Sequence, residues 1–262
     1  MDLALSGRHV LITGGSKGIG YACAQEFCRE GARVTLVARN QAGLDTALMK
    51  LSDQGFTCRS FIADVTQAEA AALMVEAVYR ECGNVDVLVN CAGAALRTPF
   101  DELTPQAWHA AMQAKFFAYI HVLDSVIKRM GSVGSGAIVN VVGAGGKVAS
   151  PTHLPGGSAN AALMLASAGL AAAYGPKGVR VNVVNPGLTL TDRLSEGLAA
   201  DARLRQISAA EVLEQQQQRL PLRRIAEPQE IANAVVFLSS SRASYITGAI
   251  LSMDGAVVPM VV

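Results

Sequence analysis

The segment Thr13-Gly14-Gly15-Ser16-Lys17-Gly18-Ile19-Gly20 follows the apolar run Val10-Leu11-Ile12 and precedes a helical stretch from Tyr21 to Arg29. A strand, a glycine-rich turn and a helix start in that order leave few folds open. Glycine lets the backbone come close to a pyrophosphate, and the helix N-terminus offers free N–H groups and a partial positive charge. The turn residues Gly14, Gly15, Ser16, Lys17, Gly18, Ile19 and Gly20 are therefore candidate ligands of a dinucleotide.

The rest of the chain repeats the alternation. Apolar runs at His9–Ile12, Arg33–Ala38, Thr57–Ala63, Val85–Val89, Ala137–Val142, Val179–Val184 and Ala249–Met253 are separated by helical patterns near 18–30, 41–54, 67–82, 104–130, 156–175 and 228–240. Continuously apolar strands between helices are strands buried on both faces, so the pattern predicts a parallel sheet with right-handed crossovers. The expectation is one doubly wound α/β domain of the Rossmann type over residues 1–262, with a seven-stranded sheet. A polar stretch at 193–220, containing the run Gln215–Gln218, has a poor claim to the core and reads as a mobile lid.

Charge narrows the partners. A net charge of +1 gives no support for nucleic acid or an anionic membrane surface. No segment approaches the apolar length that a bilayer requires. The five cysteines show no metal-ligand spacing, so they read as thiols in a reducing compartment, and no metal is expected. The expected setting is soluble and cytoplasmic, with a small-molecule substrate.

Open parallel sheets bind ligands at the carboxyl ends of their strands. After the second strand a carboxylate would hold an unmodified adenosine ribose, but this chain has Arg39-Asn40 there. Arg39 and Lys17 favour a 2′-phosphate through charge-assisted contacts, which points to NADP(H) over NAD(H). The alternative is two solvent-facing basic residues. Asp64-Val65, ending the third strand, suits the adenine edge. Asn90-Cys91-Ala92-Gly93 follows the fourth strand and Pro186-Gly187-Leu188-Thr189-Leu190-Thr191 the sixth. Among these, Asn90, Ala92, Gly93, Pro186, Gly187, Thr189 and Thr191 are candidate cofactor contacts.

In segment order and spacing the chain resembles the short-chain dehydrogenases/reductases, and is similar to the 3-oxoacyl carrier-protein reductases among them. The resemblance runs nearly end to end. It implies hydride transfer between nicotinamide C4 and a carbonyl carbon, with a tyrosine supplying the proton. A lysine one turn later binds the nicotinamide ribose and lowers the tyrosine pKa from about 10. A serine polarises the carbonyl, and an asparagine on the long helix supports a relay water. It also implies a homo-oligomer, dimer or tetramer, formed through the 104–130 and 156–175 helices.

Aligned on that pattern, the four catalytic positions fall on Gly156, Asn160, Gly143 and Lys115. All four carry a different residue. Lys115 and Asn160 are the family's asparagine and lysine with places exchanged, so Lys115 is expected to supply the positive charge and Asn160 to bind a ribose hydroxyl. The replacement acid is expected at His153, whose ordinary pKa of about 6.5 suits proton transfer near neutrality, with Lys147 second. Ser158 reads as the cap of a helix beginning at Gly156-Gly157. Three functions stay open: an NADP(H)-linked oxidoreductase of a carbonyl/alcohol pair with an atypical acid–base group, a catalytically silent NADP-binding protein, and a lyase or isomerase using the same pocket.

Overall fold

The computed structural model describes residues 2–93 and 95–259. Seven strands, β1 (His9–Thr13), β2 (Arg33–Ala38), β3 (Arg59–Ile62), β4 (Val87–Asn90), β5 (Gly136–Val141), β6 (Val179–Pro186) and β7 (Ile250–Met253), form one sheet in the order β3-β2-β1-β4-β5-β6-β7. Every pairing is parallel, with Ile12 of β1 opposite Leu36 of β2 and Val89 of β4. The helices are α1 (Gly18–Arg29), α2 (Gln41–Ser52), α3 (Ala68–Cys82), α4 (Pro105–Ala111), α5 (Ala118–Val133), α6 (Leu154–Tyr174), α7 (Asp192–Arg205), α8 (Ala209–Arg219) and α9 (Pro228–Ser239).

Both sheet faces are covered, which is why the strands read as unbroken apolar runs. Phe27 of α1, Leu44 of α2 and Ile231 of α9 pack on one face. Val75 of α3, Tyr119 and Val126 of α5, and Leu163 of α6 pack on the other. The strand order reverses between β1 and β4, and a crevice at such a switch point is where open α/β sheets take ligands.

Three boundaries differ from the sequence reading. β3 is shorter than Thr57–Ala63 because it is the sheet edge, pairing only with β2 across Arg59–Ile62. α6 starts at Leu154, ahead of the paired glycines. Ser158 then lies inside the helix, and its hydroxyl donates to the Leu154 carbonyl at 3.0 Å instead of capping. The helix expected over 104–130 is interrupted by a π turn, Met112–Phe117. A π turn carries an extra residue and rotates the helix downstream of it, and such turns collect at functional sites. Here Lys115 sits within it and is buried.

The polar 193–220 stretch is two helices, α7 and α8, joined over Gln206–Ser208. α8 opens with a capping box, Ser208 and Glu211 bonding each other's backbone N–H groups. Among the described residues no helix is long and apolar enough to cross a membrane, and no cluster of His, Cys, Asp and Glu has the makings of a metal site. Of the apolar run at 256–262, Met260, Val261 and Val262 lie outside the described residues.

Candidate active site

A cleft of about 960 Å³ opens at the carboxyl ends of the strands. Gly14, Ser16, Lys17, Gly18, Ile19 and Gly20 line one end, with Arg39, Asp64 and Val65 along the adjoining wall. Ala92, Gly93, Pro186, Gly187, Thr189 and Thr191 come next, and Lys115, His153 and Asn160 line the other end. Nearly every residue singled out in the sequence is thus brought to one cavity.

Three of the candidates are not on its surface. Gly15 faces the sheet, where an added Cβ would meet Leu36 Cδ2 at 2.7 Å. Asn90 is fully buried in a scaffold. Its Oδ1 accepts from Thr13 Oγ1 at 3.3 Å and its Nδ2 donates to Asn140 Oδ1 at 2.9 Å. The Thr13 hydroxyl also accepts from the N–H groups of Cys91 and Ala92, so Asn90 shapes the loop after β4 from beneath. Lys147 is off the cleft lining and its Nζ donates to Ser252 Oγ at 3.2 Å, so it drops out as a candidate.

The glycine turn closes tightly on α1. An added Cβ at Gly20 would sit 2.3 Å from the Gly14 carbonyl oxygen, so only glycine admits this approach of helix to turn. Lys17 Nζ pairs with Asp192 at the start of α7, 3.1 Å away, across the mouth of the cleft. Arg39 is exposed on the wall that the turn faces. The far end adds a sharper sign of a missing partner. Asn160 Oδ1 is buried and has no hydrogen-bond partner, a state uncommon enough to need a reason. An acceptor waiting beside a glycine cradle fits a ribose hydroxyl, and the residues present fit a bound dinucleotide.

His153 explains Gly156. A Cβ at position 156 would lie 2.2 Å from His153 Cε1, and one at Gly145 would lie 2.9 Å from its Cδ2. The imidazole therefore fills the volume in which a side chain at 156 would begin. Its Nδ1 is buried without a partner. Burial and the charges of Arg97, Arg193 and Lys115 push its pKa down to about 4. The sequence reading gave His153 a pKa near neutrality. The cavity corrects this, because desolvation and three cations oppose a fourth charge.

Lys115 takes the neutral range instead. Its Nζ donates to the Tyr119 hydroxyl at 2.8 Å and to the Val141 carbonyl at 3.1 Å. Tyr119 itself donates to that carbonyl at 2.5 Å, which fixes the trio. Both lysine partners are neutral, so burial dominates and lowers the ammonium pKa to about 7. Tyr119 is not among the residues singled out above. Only the four-residue spacing to Lys115, a helical neighbour on one face, pointed to it.

Residues 14–257 match the short-chain dehydrogenase family model described as enoyl-(acyl carrier protein) reductase. The chain belongs to the short-chain dehydrogenases/reductases. Among curated members of that family, it is 34% identical to D-threitol dehydrogenase of Mycolicibacterium smegmatis, covering 97% of this chain and 94% of that one. It is 32% identical to a 3-oxoacyl-[acyl-carrier-protein] reductase of Chlamydia muridarum, over 97% and 99% of the two chains. The solved structure of L-sorbose reductase from Gluconobacter frateurii, complexed with NADPH and L-sorbose, superposes with a TM-score of 0.91 at 30% identity, covering all of both chains. The family's seven-stranded parallel sheet is the one described above.

Proposed function

We propose that this short-chain dehydrogenase/reductase is an NADP(H)-linked oxidoreductase of a carbonyl/alcohol pair that moves its proton through Lys115. One observation carries the reading: a single cleft joins the glycine turn and an unpartnered Asn160 Oδ1 to a buried lysine with no carboxylate bound to it. The relatives named above are dehydrogenases and reductases, and one was solved with NADPH, which supports the same reaction class.

Arg39 holds the 2′-phosphate of the adenosine ribose, and Asn160 accepts from the nicotinamide ribose. When bound, the nicotinamide supplies the hydride that reduces the carbonyl carbon, or takes it back in oxidation. Lys115 Nζ, as ammonium, gives its proton to the oxygen as the C=O bond becomes C–OH, and is left as a neutral amine to be reprotonated from solvent. In oxidation the amine takes the proton. The Tyr119 hydroxyl and Val141 carbonyl keep Nζ oriented through both states. His153, uncharged at neutral pH, offers Nδ1 as a hydrogen-bond partner to the substrate oxygen without competing for the proton. Gly143, Gly156, Asn160 and Lys115 occupy the positions where the family resemblance places serine, tyrosine, lysine and asparagine.

The deciding experiment has two stages. Titration is expected to show NADPH binding more tightly than NADH, and Arg39→Asp is expected to reverse the order, weakening NADPH by about tenfold or more. Steady NADPH consumption with some member of a ketone and aldehyde panel is expected next. Tighter NADH binding overturns the cofactor assignment. Tight NADPH binding with no turnover on the whole panel favours a silent binder.

A further inference from the structure

The substrate end of the cleft holds a cation that the reaction above does not use. Arg97, on the loop between β4 and α4, is half-buried against α7 and opens onto the cavity. Its loop is pinned beside His153, because the Thr98 N–H donates to the Thr152 carbonyl at 3.0 Å. Among the described residues, the Arg97 guanidinium makes no hydrogen bond and no ion pair. Arg193, close by, is satisfied by the Ala95 carbonyl at 2.9 Å and by Glu196 at 3.3 Å. The carboxylate whose charge Arg97 feels, Asp201, is held elsewhere, by Thr152 Oγ1 at 2.5 Å and Gln216 Nε2 at 2.9 Å.

The fold has also made room for this side chain. Gly197 lies in the middle of α7, where glycine is less favourable than alanine. A Cβ there would lie 3.0 Å from Arg97 Nε and 3.1 Å from its Cδ. A helix weakened to seat an unpaired, partly desolvated guanidinium is unfavourable on both counts unless a counter-ion arrives. A planar fork of N–H donors suits one oxyanion held at two points.

We infer that Arg97 is the recognition site for an oxyanionic group, a carboxylate or a phosphate monoester, on the substrate of this enzyme. The inference rests on the oxidoreductase reading only for the word substrate; the anion site stands on the geometry of Arg97 and Gly197. The preferred substrate class is thus a hydroxy or oxo acid, or a phosphorylated polyol or ketose, rather than a neutral sugar alcohol.

Calorimetry on the NADPH-saturated protein tests this without turnover, because the probes carry no ketone or aldehyde to reduce. Two matched sets serve as probes: glycerol, glycerate and glycerol 3-phosphate; and glucitol, gluconate and glucitol 6-phosphate. In at least one set the charged member is expected to bind about 10- to 100-fold more tightly than its neutral parent. A preference confined to the acids identifies carboxylate, and one confined to the phosphate esters identifies phosphate. Arg97→Gln is expected to abolish the preference. Gly197→Ala is expected to reduce it while leaving the melting temperature unchanged or higher, because the charge remains and the helix gains. No charge preference in either set, or a preference that survives in Arg97→Gln, overturns the proposal. An Arg97-dependent preference without hydride transfer on any carbonyl would leave the anion site standing and remove the oxidoreductase reading. Equal turnover of oxo acids, phosphorylated ketoses and neutral ketones that Arg97→Gln does not change would do the opposite.

Discussion

Lys115 shows how a side chain can be kept available by being poorly served. Its two oxygen partners orient the amine without stabilising its charge as a carboxylate would. The unfolded chain holds this proton up to about 10.5 and the fold releases it near 7. Between those values the unfolded state binds more protons, so the contribution of Lys115 makes the fold more stable as pH rises across the window. Urea denaturation of wild type and Lys115→Met at pH 7 and pH 9 is expected to show the difference in stability moving toward wild type at the higher pH. An unchanged difference would mean that the lysine keeps an ordinary pKa. In kinetics, carbonyl reduction is expected to fall as pH rises through about 7, and Lys115→Met to lower turnover by about 10²–10⁴. A profile that is flat from pH 6 to pH 8, or a variant with full activity, removes Lys115 from the proton path. His153 works the opposite window. Its proton is lost by the fold near 4 against 6.5 for an ordinary histidine, so its contribution destabilises the protein as pH falls from 6.5 toward 4.

Among the elements, α6 and the π turn carry the site. Gly156 is helical, and alanine at such a position ordinarily adds about 0.5–1 kcal/mol of stability. Here the new Cβ would fall within the His153 imidazole, which Gly145 confines on another side. Gly156→Ala is therefore expected to gain no stability in chemical denaturation and to turn the ring out of the cleft, lowering turnover to the same extent as removing the imidazole in His153→Ala. A variant that is both more stable and fully active would show that the ring has somewhere else to go. These same elements mark where sequence reasoning reached its limit. The sheet was legible because each strand is a short apolar run buried on both sides, and the glycine turn because its residues are consecutive. Asn160 and Lys115 were legible only through the spacing that the family resemblance implies. The packing of His153 into the space over Gly156 was not, since it depends on a loop returning onto its own helix. Arg97 gave no signal at all: it lies on an aperiodic loop, and what distinguishes it is a glycine 100 residues away in sequence.

At the scale of the whole molecule, the outer face of α6 exposes Ala161, Leu165 and Gly169, with Leu165 77% exposed. An apolar leucine flanked by small residues suits close packing of a helix from a second copy. Light scattering at micromolar concentration is expected to give a dimer or tetramer, and Leu165→Glu a smaller species. A monomer mass for the unmutated protein would refute the assembly. The contact between Lys17 and Asp192 reaches further than its strength suggests. An exposed pair of this kind adds little to stability, but it joins the glycine turn to the first residue of α7. If the 2′-phosphate takes Lys17 as the sequence leads one to expect, it competes with Asp192 for one ammonium. Asp192→Asn is expected to tighten NADPH binding by about a few-fold at low salt, with the gain fading as ionic strength rises. Equal affinities at low salt would show that the two do not compete. Such competition would make cofactor loading the event that releases α7 from the glycine turn.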